Sequence, residues 1–344
     1  MTRFDGDPHL LTAVPETYDN GHRDIFHASH PYRFQAHRPK TAKPKEYGTS
    51  IIETAILTDV QKCEVQTLQT ICNACDDLHS ETMLTNKFNL DKKMPCFFLG
   101  YDDDSPVTEN PTEQHDLTAF LYLFFIEPST IEITAFTAPT TRRRGWFTRL
   151  YQTALPHIRR SSANTVLFQI EPDSGCGMAM LRRRFADATL SHSEYQLSCV
   201  TPPARDIAPL RLEKVTQRNK ETEIHLAIEI FQRNEAAERS HIESILNEDG
   251  NDAFIVYDGN HAVGLCNRVL EDDSAGLFGL GVRPSLRYLG YGKRLLASML
   301  RQSLQERPKV TLEVDSHNPP ALNLYLHNGF TIDFQMDYHA IPIV

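Results

Sequence analysis

The sequence predicts an α/β (α+β) protein made of two tandem copies of one domain, each a mixed, largely antiparallel sheet flanked by helices. Three observations predict it. Both halves of the chain read in the same order: strand, helices, three strands, helix, strand, helix, strand. Between them, Thr201-Pro202-Pro203-Ala204-Arg205-Asp206 breaks the pattern and reads as a linker. The 344 residues suit two domains better than one, and an apolar content of 40% is enough for real cores. Two copies of one domain account for the repeat better than a single large sheet. The expected division is a tail over 1–48, an amino-terminal domain over 49–200, a linker over 201–209 and a carboxy-terminal domain over 210–344.

Residues 1–48 hold five histidines and five prolines without a sustained apolar period, so they read as a mobile or loosely docked tail. The alternative is metal capture by His9, His22, His27, His30 and His37, whose irregular spacing argues against it. Periodicity then predicts a strand at 50–57 and a helix at 60–78, with Val65, Leu68, Cys72 and Cys75 three and four apart. Strands follow at 96–101, 117–126 and 130–137, the last two meeting at the turn Glu127-Pro128-Ser129. A helix is expected at 144–158, a strand at 165–170, a short helix at 177–185 and a strand at 195–200. The second half repeats this. It has a strand at 210–215, helices at 220–232 and 235–246, and strands at 254–257 and 261–270 hairpinned through Asp258-Gly259-Asn260. A strand at 277–282, a helix at 290–306, a strand at 310–314, a helix at 320–326 and a strand at 334–340 complete it.

Composition excludes several classes. With 35 basic and 45 acidic residues the net charge is −10, so no global field draws the chain to nucleic acid or anionic lipid. The most apolar run, 117–126, is about half of the ~20 residues a bilayer requires, so no membrane span is expected. The opening residues carry charges and prolines where a leader would be apolar, and predict no secretory signal. Seven scattered cysteines suit reduced thiols in a cytoplasmic protein. Cys72, Cys75 and His79 have partial metal-ligand spacing, but no second pair lies nearby, and a half-buried helical face explains them better. No metal is expected.

The strongest local signal runs from Val282 to Leu296. A strand enters a loop with two glycines, and the loop enters a helix. Glycines let backbone approach a ligand, and the free amides of a first helical turn favour negative charge. Arg287 adds a cation, and the whole reads as a phosphate cradle. A Walker loop does not fit, because Gly292-Lys293 is followed by Arg294. The dinucleotide fingerprint does not fit either, since Gly290-Tyr291-Gly292 lacks its third glycine.

The pattern Arg287-x-x-Gly290-x-Gly292 resembles the acyl-CoA loop of the GNAT N-acetyltransferase superfamily. The resemblance continues through helix and strand to Asn318-Pro-Pro-Ala321-Leu-Asn-Leu-Tyr325-Leu-His-Asn-Gly329-Phe330. The first half carries a worn version. Arg142-Arg143-Arg144-Gly145-Trp146-Phe147 has Phe where a small residue is usual, and Met180 or Leu181 stands for the tyrosine. The chain thus resembles tandem-GNAT proteins, with a degenerate first domain.

The resemblance implies an acetyl-CoA-dependent N-acetyltransferase, with acetyl-CoA as co-substrate and a primary amine of a small molecule or peptide as acceptor. It implies that Tyr325 is the acid for the departing thiolate. It places acyl-CoA against Leu280, Val282, Arg287, Leu289, Gly290, Tyr291, Gly292 and Lys293, with Asn318 beside the pantetheine arm and backbone N–H near Val282 polarising the thioester. The plain alternative for Tyr325 is a core aromatic, and for Arg287 and Arg142–Arg144 a solvated charge. No general base is identifiable. Glu271, Asp272 and Asp273 are candidates that also suit a solvated turn, and Glu238 and Glu243 are weaker ones. A non-catalytic acyl-CoA sensor of the same fold is the competing function.

Overall fold

The computed structural model describes residues 49–87, 89–102, 117–247 and 250–343. The tail expected over 1–48, with its five histidines, lies outside them. The first half comprises β1 (Thr49–Thr54), α1 (Asp59–Asp76), β2 (Phe97–Asp102), β3 (Leu117–Glu127), β4 (Thr130–Thr137), α2 (Trp146–Arg160), β5 (Thr165–Ile170), α3 (Gly175–Arg184) and β6 (Thr189–Cys199). The second comprises β7 (Arg211–Lys214), α4 (Lys220–Phe231), α5 (Glu235–Leu246), β8 (Asn251–Asp258), β9 (His261–Leu270), β10 (Ser274–Val282), α6 (Tyr291–Glu306), β11 (Lys309–Asp315), α7 (Pro319–Leu326) and β12 (Thr331–Pro342). Each expected element is present, with ends moved by a few residues. Thr58 starts α1 with a reciprocal capping box to Gln61, a signal the sequence reading passed over.

The two halves do not form two closed sheets. The twelve strands of the described residues join in the order β1-β2-β3-β4-β5-β12-β6-β11-β10-β9-β8-β7. Among the described residues only β4–β5 and β10–β11 are parallel. The last strand of each half crosses over. β12 pairs with β5 through Asp337↔Ile170, and β6 pairs with β11 through Leu197↔Leu312. β6 and β12 then pair with each other, antiparallel, at the centre. A strand's alternation says which side chains face inward and nothing about which neighbour supplies its ladder, so the exchange is invisible in periodicity.

One core lies in the first half around Phe97, Phe98, Phe120, Ile133, Trp146 and Phe168. The second half has two. Leu197, Leu295, Met299, Leu312 and Tyr325 pack beneath α6 and α7, and Ile224, Ala227, Ile242 and Leu265 pack beneath α4 and α5. No helix among the described residues is long and apolar enough to cross a membrane. All seven cysteines are free thiols.

Candidate active site

The loop after β10 leaves backbone donors free. A 3₁₀ turn over Pro284–Leu286 leads to Arg287, after which Tyr288 and Gly290 take left-handed φ values of 64° and 84°. Gly290 is the N-cap of α6, so no side chain caps the helix. The amides of Tyr291, Gly292 and Lys293 have no acceptor among the described residues. Nothing lies within 4 Å of a Cβ placed on Gly290, so the space there is open. Open space, free amides and a helix N-terminus together fit an anion such as a diphosphate. Arg287 has a further task. Its Nε donates to the Val282 carbonyl at 3.3 Å and its Nη2 to the Ile230 carbonyl at 2.9 Å, bracing the loop against α4. The Tyr291 hydroxyl and both Arg294 terminal nitrogens donate to Asp258, at 3.1, 2.8 and 3.1 Å, fixing the first turn from the β8–β9 hairpin. Lys293 and Leu289 are exposed.

Behind the loop the sheet splits. β10 and β11 pair only from Ser274↔Lys309 to Leu277↔Leu312. Beyond this, the β10–β9 register shifts between Phe278 and Gly281, and Gly279 sits at φ 58°. Leu280 and Val282 therefore lie where β10 has no β11 partner, and they pack on the cluster that contains Tyr325. Asn318 Oδ1 accepts from the Ala321 amide at 3.2 Å and so caps the helix that carries Tyr325. Tyr325 is 7% exposed and its ring lies 5.7 Å from Phe330. Its hydroxyl has no hydrogen-bond partner among the described residues. Burial, with a smaller contribution from Cys266, pushes that hydroxyl up to about 12, so it holds its proton at neutral pH.

The first half repeats this geometry. Pro139–Thr141 is a 3₁₀ turn, Arg143 and Gly145 have φ 64° and 87°, and Gly145 caps α2 without a side chain. Arg142 Nε donates to the Thr137 carbonyl at 3.1 Å, five residues back, as Arg287 does to Val282. Arg142 is not a solvated charge. Its terminal nitrogens grip Asp76 at 2.8 and 2.6 Å, and Nη1 lies 3.2 Å from the Cys176 sulfur. β4 and β5 part beyond Ile133↔Phe168. A cavity of about 720 Å³ occupies this region, lined in part by Thr134, Gly145, Phe147, Gln169, Ser174 and Met336. Ser174 caps α3 as Asn318 caps α7, accepting from Gly177 at 3.2 Å. Counted from these caps, Leu181 takes the place of Tyr325, which decides between Met180 and Leu181.

Comparison with known proteins bears on the fold. Residues 218–330 match the model of the acetyltransferase (GNAT) family. Over those residues the chain is similar to that family. The fold of the whole chain is that of tandem GNAT proteins. A GCN5-related N-acetyltransferase from Sphaerobacter thermophilus matches with a TM-score of 0.65 at 15% identity, over 86% of this chain and 95% of that one. A tandem GNAT protein from the clavulanic acid biosynthesis pathway gives 0.59 at 13% identity, over 86% and 98%. A GNAT-family acetyltransferase from Colwellia psychrerythraea gives 0.55 at 12%, over 87% and 100%. No curated protein sequence matches the chain.

Within the second half, the other sequence candidates separate. Glu271, Asp272 and Asp273 form an exposed turn at the far end of β10, about 25 Å from Val282 at ~3.3 Å per residue. Glu243 pairs with Lys220 on the surface, which holds its carboxyl below the ordinary range. Glu238 is 2% exposed, under the α4–α5 hairpin. In the first half, Cys72 turns inward onto the Thr137 carbonyl while Cys75 is exposed, so the two do not face one site. Sequence reasoning missed Glu223, which is 2% exposed beside Glu238. Its spacing from Ala227 and Ile230 placed it on the buried stripe of α4.

Proposed function

We propose that this protein is an acetyl-CoA-dependent N-acetyltransferase acting on the primary amine of a small molecule or peptide, with the carboxy-terminal half catalytic. One observation carries the reading. The free first-turn amides of α6 and the partnerless, protonated hydroxyl of Tyr325 flank one split in the sheet. The amides of Tyr291, Gly292 and Lys293 suit the coenzyme's diphosphate, and the edge at Leu280 and Val282 suits its pantetheine arm. Acetyl-CoA supplies an acyl thioester. Tyr325 holds a proton that a departing thiolate, with an ordinary thiol pKa near ~8.5, does not take permanently from a phenol at about 12. The phenol therefore acts by hydrogen bonding and by transfer coupled to loss of the amine's own proton. Thiol release from acetyl-CoA across a panel of primary amines tests the reading, and turnover on at least one is the expected result.

The cavity of about 720 Å³ in the first half favours a second reading. There the chain holds an acyl-CoA in its amino-terminal half without catalysis, as a sensor. The same panel would then show binding without thiol release.

A further inference from the structure

One face of α3 lines the first-half cavity. Cys176 stands in its first turn, Ala179 and Met180 follow, and Arg183 closes the stripe, at the spacings that share one side of a helix. The thiol and the guanidinium are about 10 Å apart along the axis, at ~1.5 Å per residue, and the wall between them is apolar. Cys176 is exposed at the cavity mouth, and nothing lies within 4 Å of a Cβ placed on Gly175 beside it. Counted from the capping Asn318, Pro320 and His327 take the places of Cys176 and Arg183 in the second half, so the stripe belongs to the first half alone.

Charge singles out this mouth. Arg142 Nη1 lies 3.2 Å from the Cys176 sulfur, and the thiol sits at the amino end of a helix; both favour thiolate. Asp76 and the Thr137 carbonyl hold Arg142 in that position. Arg143, from the loop before α2, lines the same cavity as Arg183 and Arg184, and these three have no partner among the described residues. The helix dipole favours arginines at the carboxy end of α3, but it does not bring Arg143 to the cavity. The carboxylates of the wall are engaged, Asp76 by Arg142 and Glu171 by the amides of His79 and Ser80 at 2.9 and 2.7 Å. Against the three unpaired guanidinium groups stands Glu81, exposed at the rim.

The other thiols differ. Cys72 lines the cavity too, but it is 3% exposed and donates to the Thr137 carbonyl at 3.3 Å. Burial pushes that thiol up against the pull of Arg142, so it keeps its proton. Cys63 and Cys75 are exposed on α1, and among the described residues no cation is hydrogen-bonded to either.

We propose that Cys176 is a site of thiol–disulfide exchange and that the cavity selects a low-mass peptide disulfide carrying carboxylates. The Cys176 thiolate attacks one sulfur of that disulfide. The old S–S bond breaks as the new one to Cys176 forms, and the departing half leaves as a thiolate that takes a proton from water. Cys176 is oxidised, the departing half is reduced, and no further oxidant enters. The retained half lies along the α3 stripe. A carboxylate one or two residues from its sulfur covers most of the span at ~3.4 Å per residue, and the Arg183 side chain covers the rest. The adduct occupies the cavity that the sensor reading gives to an acyl-CoA, so the two exclude each other.

The test is incubation of the reduced full chain with glutathione disulfide, which is anionic, or cystamine, which is cationic, followed by intact-mass measurement and peptide mapping. The expected product carries one glutathione, on Cys176, released by dithiothreitol. With each rate scaled to that of a free small thiol, the anionic disulfide is expected to react about tenfold faster than the cationic one. Arg183→Glu is expected to remove that preference and to leave alkylation of Cys176 by neutral iodoacetamide unchanged, which separates recognition from thiol reactivity. Cys176→Ser is expected to stop the modification. Labelling spread evenly over Cys63, Cys75 and Cys176 overturns the site. Equal scaled rates for the two disulfides, or a preference that survives Arg183→Glu, overturn the selection by arginine.

Discussion

Leu181 and Tyr325 hold the same station in the two halves: each lies seven positions after the side chain that caps its helix, and each is buried, at 5% and 7% exposure. The backbone and the caps repeat, and the side chain distinguishes them: an isobutyl group in the first half, a phenol in the second. Replacing Tyr325 by Phe keeps the ring and its packing on Phe330 and removes only that hydroxyl. The expected outcome is a fall in kcat of about 10²–10⁴-fold with acetyl-CoA affinity unchanged, the usual range for loss of a positioned proton donor. Steady-state kinetics beside a binding titration checks it. An unchanged kcat would make Tyr325 a core residue like Leu181.

The two loops also repeat, with Gly145 and Gly290 both at left-handed φ and both open to solvent in front. They differ at the next turn, where Phe147 in the cavity wall replaces Gly292. A β-branched residue at either glycine is strained by about 1–2 kcal/mol and puts carbon where an anion would sit. Calorimetric titration with acetyl-CoA is expected to show one tight site, lost in Gly290→Val and kept in Gly145→Val. A second site that vanishes with Gly145→Val would assign the first-half cavity to the coenzyme.

Much of this was legible in the chain. Periodicity placed every element, and Arg287, Gly290 and Gly292 marked the loop because its chemistry demands those residue types in series. Other features were silent for physical reasons. The brace from Arg287 to Ile230 spans 57 positions, and nothing local encodes it. Arg142 looked like one of three solvated arginines because its partner Asp76 is 66 positions away. Glu271–Asp273 looked near the loop in sequence, yet the length of β10 separates them from it. Glu223 occupies a core position of an amphipathic helix, and only its burial beside Glu238, fifteen positions away, sets it apart. The exchange of β6 and β12 was unreadable, since either partner satisfies the same ladder.

Burial and Glu238 raise the Glu223 carboxyl from 4.5 to about 7 in the folded chain. The folded state therefore binds more protons than the unfolded one between those values, and stability falls as pH rises through that window. Below about 4.5 both states are protonated and the penalty is absent; above about 7 it is complete. The slope is at most about 1.4 kcal/mol per pH unit. Glu223→Gln cannot ionise, so this variant is expected to gain stability relative to wild type between pH 5 and 7.5, with the two converging at lower pH. Urea unfolding at several pH values measures the difference, and parallel curves would show that Glu223 does not titrate in this range.

The strand exchange makes the halves interdependent. β12 belongs to the end of the chain, yet its outer segment, Asp337–Pro342, pairs with Ile170–Thr165 of β5. Phe168, 2% exposed, lies on that strand in the same core as Trp146, the chain's single tryptophan. Ending the chain after Phe330 removes the ladder from both β5 and β6 and opens two edges at the centre of the sheet. Trp146 fluorescence is therefore expected to report loss of the first-half core, although every deleted residue lies in the second half. Proteolytic nicking between 201 and 209 leaves all twelve strands in place, so the two fragments are expected to remain associated and to unfold in one transition. Two independently folded domains would behave in the opposite way: the truncation would leave the Trp146 transition where it was, and the nicked fragments would separate on a sizing column.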